Sequence, residues 1–153
     1  MGCIRVFAHS EEMEHPGGQP RLSREPSATE TALLIIAHGS RECAANGDVH
    51  YLAEDLLQRG PYVTVEPSFL ELAEPTIHQA AEACIKKGAR NIILLPYFLS
   101  AGVHVRRDLT AAQRELSKRY CDVRFLLAEP LGRHPLLAEI VLERARLTAD
   151  RPA

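Results

Sequence analysis

The chain has 153 residues, 46% of them hydrophobic, with a formal net charge of −2, which suits one domain of ordinary globular composition. A chain this long buries roughly two-thirds of the surface it exposes when unfolded, so it can hold a core without disulfides or a structural metal, and fibrous or wholly disordered readings are excluded. Residues 31–153 carry 15 basic and 15 acidic side chains, a balance that argues against a sequence-independent nucleic-acid binder, which needs a basic excess.

Residues 1–30 contain Pro16, Pro20, Pro26, Gly17 and Gly18, and only Ile4, Val6, Phe7 and Leu22 as strong apolar residues. This composition predicts a disordered N-terminal extension. With neither a basic n-region nor an apolar h-region, it does not read as a secretory signal. The longest apolar run, Ala32–Ala37, is far short of the ~20 residues that span a bilayer. The cysteines, Cys3, Cys43, Cys84 and Cys121, are widely spaced with no CxxC pair, so reduced thiols and a cytoplasmic location are expected.

From Thr31 to about residue 150, short apolar runs alternate with amphipathic stretches, the pattern of repeated strand–helix units. Ala32–Ala37, Val63–Phe69, Asn91–Pro96 and Val123–Ala128 read as strands. Continuous hydrophobicity in the first and third predicts burial on both faces. Val49, Leu52, Ala53, Leu56 and Leu57 recur at helical spacing, as do Ile77, Ala80, Ala81, Cys84 and Ile85; both sets predict core-facing helices. Pro75 reads as a first helical residue and Gly88 as a helix end. Leu109, Ala112, Leu116 and Tyr120 mark a third helix, and Leu136, Leu137, Ile140, Val141 and Arg144 a fourth that opens with Pro135. The expected fold is α/β: a single three-layer module, a four-stranded parallel sheet with flanking helices and right-handed crossovers.

Ligands of open parallel sheets bind beyond the carboxyl ends of the strands. That rule selects His38-Gly39-Ser40-Arg41 after the first strand, Phe69-Leu70-Glu71 after the second, Tyr97 to Arg107 with His104 after the third, and Glu129 to His134 after the fourth. His38, Glu71 and His104 thus fall in three neighbouring loops. An N, N, O set with open positions suits a labile Co²⁺, Fe²⁺, Ni²⁺ or Zn²⁺ better than Mg²⁺ or Ca²⁺. Each residue alone has an ordinary explanation: a turn hydrogen bond for His38, solvation for His104, a helix cap for Glu71. Their shared position favours a joint site.

Arg41, Arg106, Arg107 and Arg133 occupy the same loops. They would orient an anionic substrate, or they form a solvated surface paired with Glu42, Asp108 and Glu129; the residues alone leave both open. No GxxxxGK[ST] or GxGxxG is present, which disfavours a nucleotide-binding domain. A phosphohistidine phosphatase would want Arg before the histidine, where Ala37 stands. His50 and His78 are placed inside helices as surface or packed residues, and Cys43, near enough to the first loop to meet a metal, is expected instead to be a buried, inert thiol.

Four strings, LLIIAHGSR (Leu33 to Arg41) followed by Asn46, SFLELAEPTI (Ser68 to Ile77), ILLPYFLSAGVHVRRDL (Ile93 to Leu109) and AEPLGRHPLL (Ala128 to Leu137), together resemble the class II tetrapyrrole chelatases, of the CbiX and SirB sirohydrochlorin chelatase type. The resemblance implies insertion of Co²⁺, Fe²⁺ or Ni²⁺ into sirohydrochlorin for cobalamin, siroheme or the methanogenic cofactor. It makes His38 and His104 the paired active-site histidines and Glu71 the acidic metal-site residue. Ser40, Arg41, Arg106, Arg107 and Arg133 become candidate substrate contacts. One module resembles the short form of the family, which works as a homodimer; the N-terminal extension departs from the family. The metal is a substrate, and no tightly bound cofactor, nucleic acid or membrane partner is expected. A carrier using the same cleft would bind the metal or tetrapyrrole without turnover.

Overall fold

The computed structural model describes residues 30–150; the N-terminal extension expected over 1–30 lies outside them except for Glu30. The apolar run after Thr31 is a strand because its β-branched and leucine side chains fill both faces of a central position. The elements follow as β1 (Thr31–Ala37), α1 (Cys43–Arg59), β2 (Thr64–Phe69), α2 (Ile77–Lys86), β3 (Asn91–Pro96), α3 (Val103–Arg119), β4 (Arg124–Leu127) and α4 (Pro135–Ala149). All four strands are parallel, in the order β2-β1-β3-β4. β1 therefore pairs on both sides, with Leu34 in register with Glu66 and Leu94.

Alternation along β1 divides the core. Ala32, Leu34 and Ile36 pack with Ile92 and Leu94 against Ala80, Ala81 and Cys84 of α2 and Leu109 and Leu116 of α3. Leu33, Ile35 and Ala37 face the other way, against Val49 and Ala53 of α1. Each fully buried Leu or Ile contributes about 1.5–3 kcal/mol relative to exposure. The chain leaves β1 first toward β2 and then returns past it to β3, and crossovers of one hand must then run over opposite faces. That places the crevice of the sheet at the carboxyl ends of β1 and β3.

The boundaries differ from the sequence expectations in instructive ways. The second and fourth strands are shorter, beginning at Thr64 and ending at Leu127. Pro75 is not in α2: its peptide with Glu74 is cis, and Thr76 caps the helix, its hydroxyl accepting from Gln79 N–H at 3.4 Å while the Gln79 side chain accepts from Thr76 N–H at 2.7 Å. This reciprocal box satisfies two of the amides a helix start leaves open. Pro135 does open α4, after His134 as cap. α4 has no buried residue, whereas α1 and α2 face the core as expected. Cys43 is exposed rather than buried, because it is the first residue of α1 at the open end of the sheet; Cys84 alone of the described thiols is buried.

Both outer strands are modified at their open sides. β2 contains Pro67, which has no amide proton to donate, and Phe69 N–H is taken by Pro75 O at 2.9 Å. On the far side, the Phe125 carbonyl of β4 accepts from Gln113 Nε2 at 3.0 Å. Among the described residues, no helix is long and apolar enough to cross a membrane.

Candidate functional site

The loops after β1 and β2 lock into each other. Leu70 N–H donates to Ala37 O and Glu71 N–H to His38 O, each at 3.0 Å, so the two strands' pairing continues past their ends. Gly39 adopts φ +93°, and a Cβ built there would lie 1.9 Å from the Glu71 carbonyl oxygen; only glycine allows this approach. Leu72 takes φ 62° and Ala73 N–H closes back on Glu71 O at 2.7 Å. The result is that the exposed side chains of His38 and Glu71 project from one interlocked backbone.

Asn46, in the second turn of α1, holds the other end of the first loop. Its Oδ1 accepts from Ser40 N–H at 3.0 Å and its Nδ2 donates to Ser40 O at 2.8 Å. The Ser40 hydroxyl accepts from Glu42 N–H at 3.0 Å. Ser40 is thus tied into the loop by its backbone and by its hydroxyl oxygen. Arg41 follows it, exposed.

β3 is carried past its end by Tyr97 N–H on Ile36 O at 2.8 Å. His104, Arg106 and Arg107, expected in a loop, lie in the first two turns of α3, all exposed. The reason is Gly102, which serves as N-cap without a side chain, so no Ser, Thr or Asp announces the helix start. Arg106 folds back, its Nε donating to Ala101 O at 3.3 Å, and its guanidinium lies 4.0 Å from Glu129. Of the four arginines only Arg106 makes an ion pair among the described residues. An exposed pair at this distance is weak and can be exchanged for an anionic ligand.

The loop after β4 completes the rim. Arg133 and His134 line a cavity of about 560 Å³ together with Leu99, Ser100, Arg106, Glu129 and Leu131. His134 Nδ1 accepts from Leu136 N–H at 3.3 Å, which leaves its proton on Nε2. His134 carries no catalytic motif in the sequence; the signal for its role is the His-Pro pair directly before a helical pattern, which marks a cap. A second cavity of about 470 Å³, largely apolar, joins Tyr97 and Leu131 to Leu136 and Ile140 of α4. A depression of about 560 Å³ sits at the amino ends of the strands, near Arg90 and Arg124, away from every loop discussed above.

His38, Glu71 and His104 do share one end of the sheet, His38 and Glu71 through a direct backbone bond. They do not form a closed cage: among the described residues no three His, Cys, Asp or Glu side chains converge to hold a metal ion. Elsewhere, the His50 ring lies tilted at 6.1 Å from that of Phe69 and His78 Nε2 lies 3.4 Å from Glu115, so both have neighbours of their own on their helices.

Comparison with known proteins places this arrangement. The family model CbiX matches residues 32–148. The chloroplastic sirohydrochlorin ferrochelatase of Arabidopsis thaliana is 32% identical over 112 residues, covering 73% of this chain and 50% of the relative. The sirohydrochlorin cobaltochelatase of Methanopyrus kandleri is 31% identical over 135 residues, covering 75% of this chain and 94% of the relative. The crystal structure of the sirohydrochlorin chelatase SirB of Bacillus subtilis subspecies spizizenii in complex with cobalt superposes with a TM-score of 0.71 at 31% identity, over 76% of this chain and 50% of that one. The chain therefore spans about half the length of some relatives and nearly all of others. With the family model covering the whole sheet and all four carboxyl-end loops, the chain belongs to the CbiX family.

Proposed function

We propose that this protein is a sirohydrochlorin chelatase, a lyase-type metal chelatase that inserts Co²⁺, Fe²⁺ or Ni²⁺ into sirohydrochlorin. The observation that carries the reading is the interlocked pair of loops that presents His38 beside Glu71, with His104 on the neighbouring α3, in a chain whose relatives of both lengths bear that activity in their names.

Metallation of a free-base macrocycle consumes a divalent ion and releases the two pyrrolic N–H protons, so the site must pass on a metal and accept protons. His38, Glu71 and His104 hold the incoming ion weakly, in keeping with the absence of a preformed cage among the described residues, and release it to the macrocycle. One of the imidazoles accepts a pyrrolic proton. Arg41, Arg106, Arg107 and Arg133, with Ser40, orient the carboxylates of the substrate; Arg106 gives up Glu129 to do so. The metal is thus substrate rather than resident cofactor. A single module offers the flat macrocycle one wall, and a second copy of the chain supplies the other. The reading places the protein in the cytoplasm, where thiols such as Cys43 and Cys121 stay reduced.

Anaerobic incubation of the protein with sirohydrochlorin and each of the three ions, followed by visible spectroscopy against a protein-free control, tests the activity. Faster conversion with catalytic turnover is expected; stoichiometric binding with no acceleration would identify a carrier instead. His38→Ala and His104→Ala should each reduce the rate by about 100-fold or more, in the range of a lost general base, with unchanged circular dichroism. Full activity in both variants would overturn the assignment.

A further inference from the structure

The turn at Gly39 hangs between two anchors. Before it, Glu71 N–H holds the His38 carbonyl; after it, the Asn46 side chain holds both backbone groups of Ser40. With either anchor gone, the turn that aims His38 and Arg41 is free to swing about the other. The second anchor is chemically particular. Ser40 presents a donor and an acceptor at one spot, and only a primary amide answers both from a single carbon. A carboxylate accepts but does not donate. An acid at this position would keep Ser40 N–H and set its second oxygen against Ser40 O, where Nδ2 now donates at 2.8 Å.

The next residue makes this amide the least durable group at the site. Of the two asparagines in the chain, Asn91 is followed by Ile92 and Asn46 by Gly47. Glycine has no Cβ, so nothing shields its backbone nitrogen as it approaches the asparagine Cγ. Gly47 is exposed, and a Cβ built there would meet no atom within 4 Å. Packing therefore gives no reason for glycine here, inside a helix where alanine would be more stable. In helical backbone the Gly47 nitrogen is directed at the carbonyl four residues back, so attack on Cγ needs the first turn of α1 to open. That turn is lightly held: Glu42 caps it without a side-chain hydrogen bond, and Cys43, Ala44 and Ala45 are exposed. Helix ends of this kind open at a small fraction of the cost of global unfolding.

We propose that the Asn46 side-chain amide positions the His38–Arg41 turn through Ser40, and that Asn46–Gly47 is a deamidation site at which the chain loses it. The Gly47 nitrogen attacks Cγ, the Cγ–Nδ2 bond breaks, and ammonia leaves with the proton of the Gly47 amide. Water then opens the succinimide to an aspartyl or an isoaspartyl residue. Both products lack the donor to Ser40 O, and the isoaspartyl form adds a backbone carbon at the helix start. This rests on the reading that His38 serves metallation, and it names a positioning residue and a modification site behind that histidine.

Ageing the full chain in warm, mildly alkaline buffer tests this, with peptide mass spectrometry and metallation assays on the same samples. The mass gain of an amide turned acid should appear in the peptide holding Asn46 well before the one holding Asn91, and activity should fall in step with it. Gly47→Ala should match the fresh wild type in rate and lose activity several-fold more slowly. Asn46→Asp should lower the rate about 10- to 100-fold, the scale of an ångström's misplacement. Its unfolding midpoint should stay near that of the wild type, since an acid near a helix start is itself favourable. Hydrogen exchange in this variant should quicken at Ser40 and leave Leu70 protected. Full activity of Asn46→Asp, equal decay of wild type and Gly47→Ala, or decay with Asn46 still amidated overturns the proposal. Faster exchange at Ser40 in a chain that never metallates sirohydrochlorin would keep the clamp and remove the chelatase reading; an Asn46→Asp variant as active as the wild type would do the reverse.

Discussion

Gly39 shows how a single residue sets the distance between two side chains of the candidate site. Its left-handed backbone and the 1.9 Å approach of an added Cβ to Glu71 O mean that any other residue must part the first two loops. Gly39→Ala should destabilise the protein by about 1–3 kcal/mol in urea unfolding and reduce metallation by more than this loss of folded protein explains. Gly88 has the same φ of +93° with no atom within 4 Å, so Gly88→Ala carries the backbone strain alone and should leave the activity of the folded fraction intact. If both variants lost activity equally, the interlock would not be what positions His38 and Glu71. These two residues were legible in the sequence because each directly follows an apolar run, where a strand must end. His104 was legible as a member of the same end, but its place in a helix was hidden by the glycine cap. The exposure of Cys43 was equally hidden, since a thiol beside a strand end has no pattern that separates core from rim.

At the scale of elements, strands β1 and β3 and all four helices were legible from periodicity, which reports the side chains that must leave water. What periodicity does not report is what covers them. α2 and α4 carry similar apolar spacing, yet α2 buries Ile77, Ala80, Ala81 and Cys84 against the sheet and α4 buries nothing. The start of α2 was misplaced for a local reason: Pro75 suits a first helical position, but the Thr76–Gln79 box outweighs it. Thr76→Ala should cost about 1 kcal/mol, measured by thermal or urea unfolding. Because Phe69 and Thr76 form a bridge next to the Glu71 loop, the same variant should raise hydrogen exchange at Glu71 and Ala73; unchanged protection there would separate the cap from the site.

For the whole molecule, alkaline stability follows from Cys84. Burial, with the nearby Glu66 charge adding to it, pushes this thiol up from 9.0 to about 12. A folded-state value above the unfolded one means that the contribution is complete below about pH 9 and is lost as pH rises from there toward 12, because the unfolded chain ionises first. Unfolding midpoints should therefore fall between pH 8 and pH 10.5 more steeply for the wild type than for Cys84→Ala. Over the same range iodoacetamide should label Cys43 and Cys121 in the native protein and leave Cys84 untouched; equal labelling would place Cys84 outside the core.

The two outer strands carry a further consequence. Pairing of Leu70 N–H with Ala37 O and of Phe69 N–H with Pro75 O shows that odd-numbered amides of β2 point away from the sheet. Of the three, Phe69 is occupied and Pro67 has no proton, so only Val65 can offer a donor to an incoming strand. On the other side, β4 is four residues long with its Phe125 carbonyl already taken by Gln113. Natural sheets resist edge-to-edge growth by such means. An incoming strand thus meets few free backbone groups on either edge of the sheet, so the folded chain offers little to the cross-β route of fibril formation while the apolar residues of α4 stay exposed.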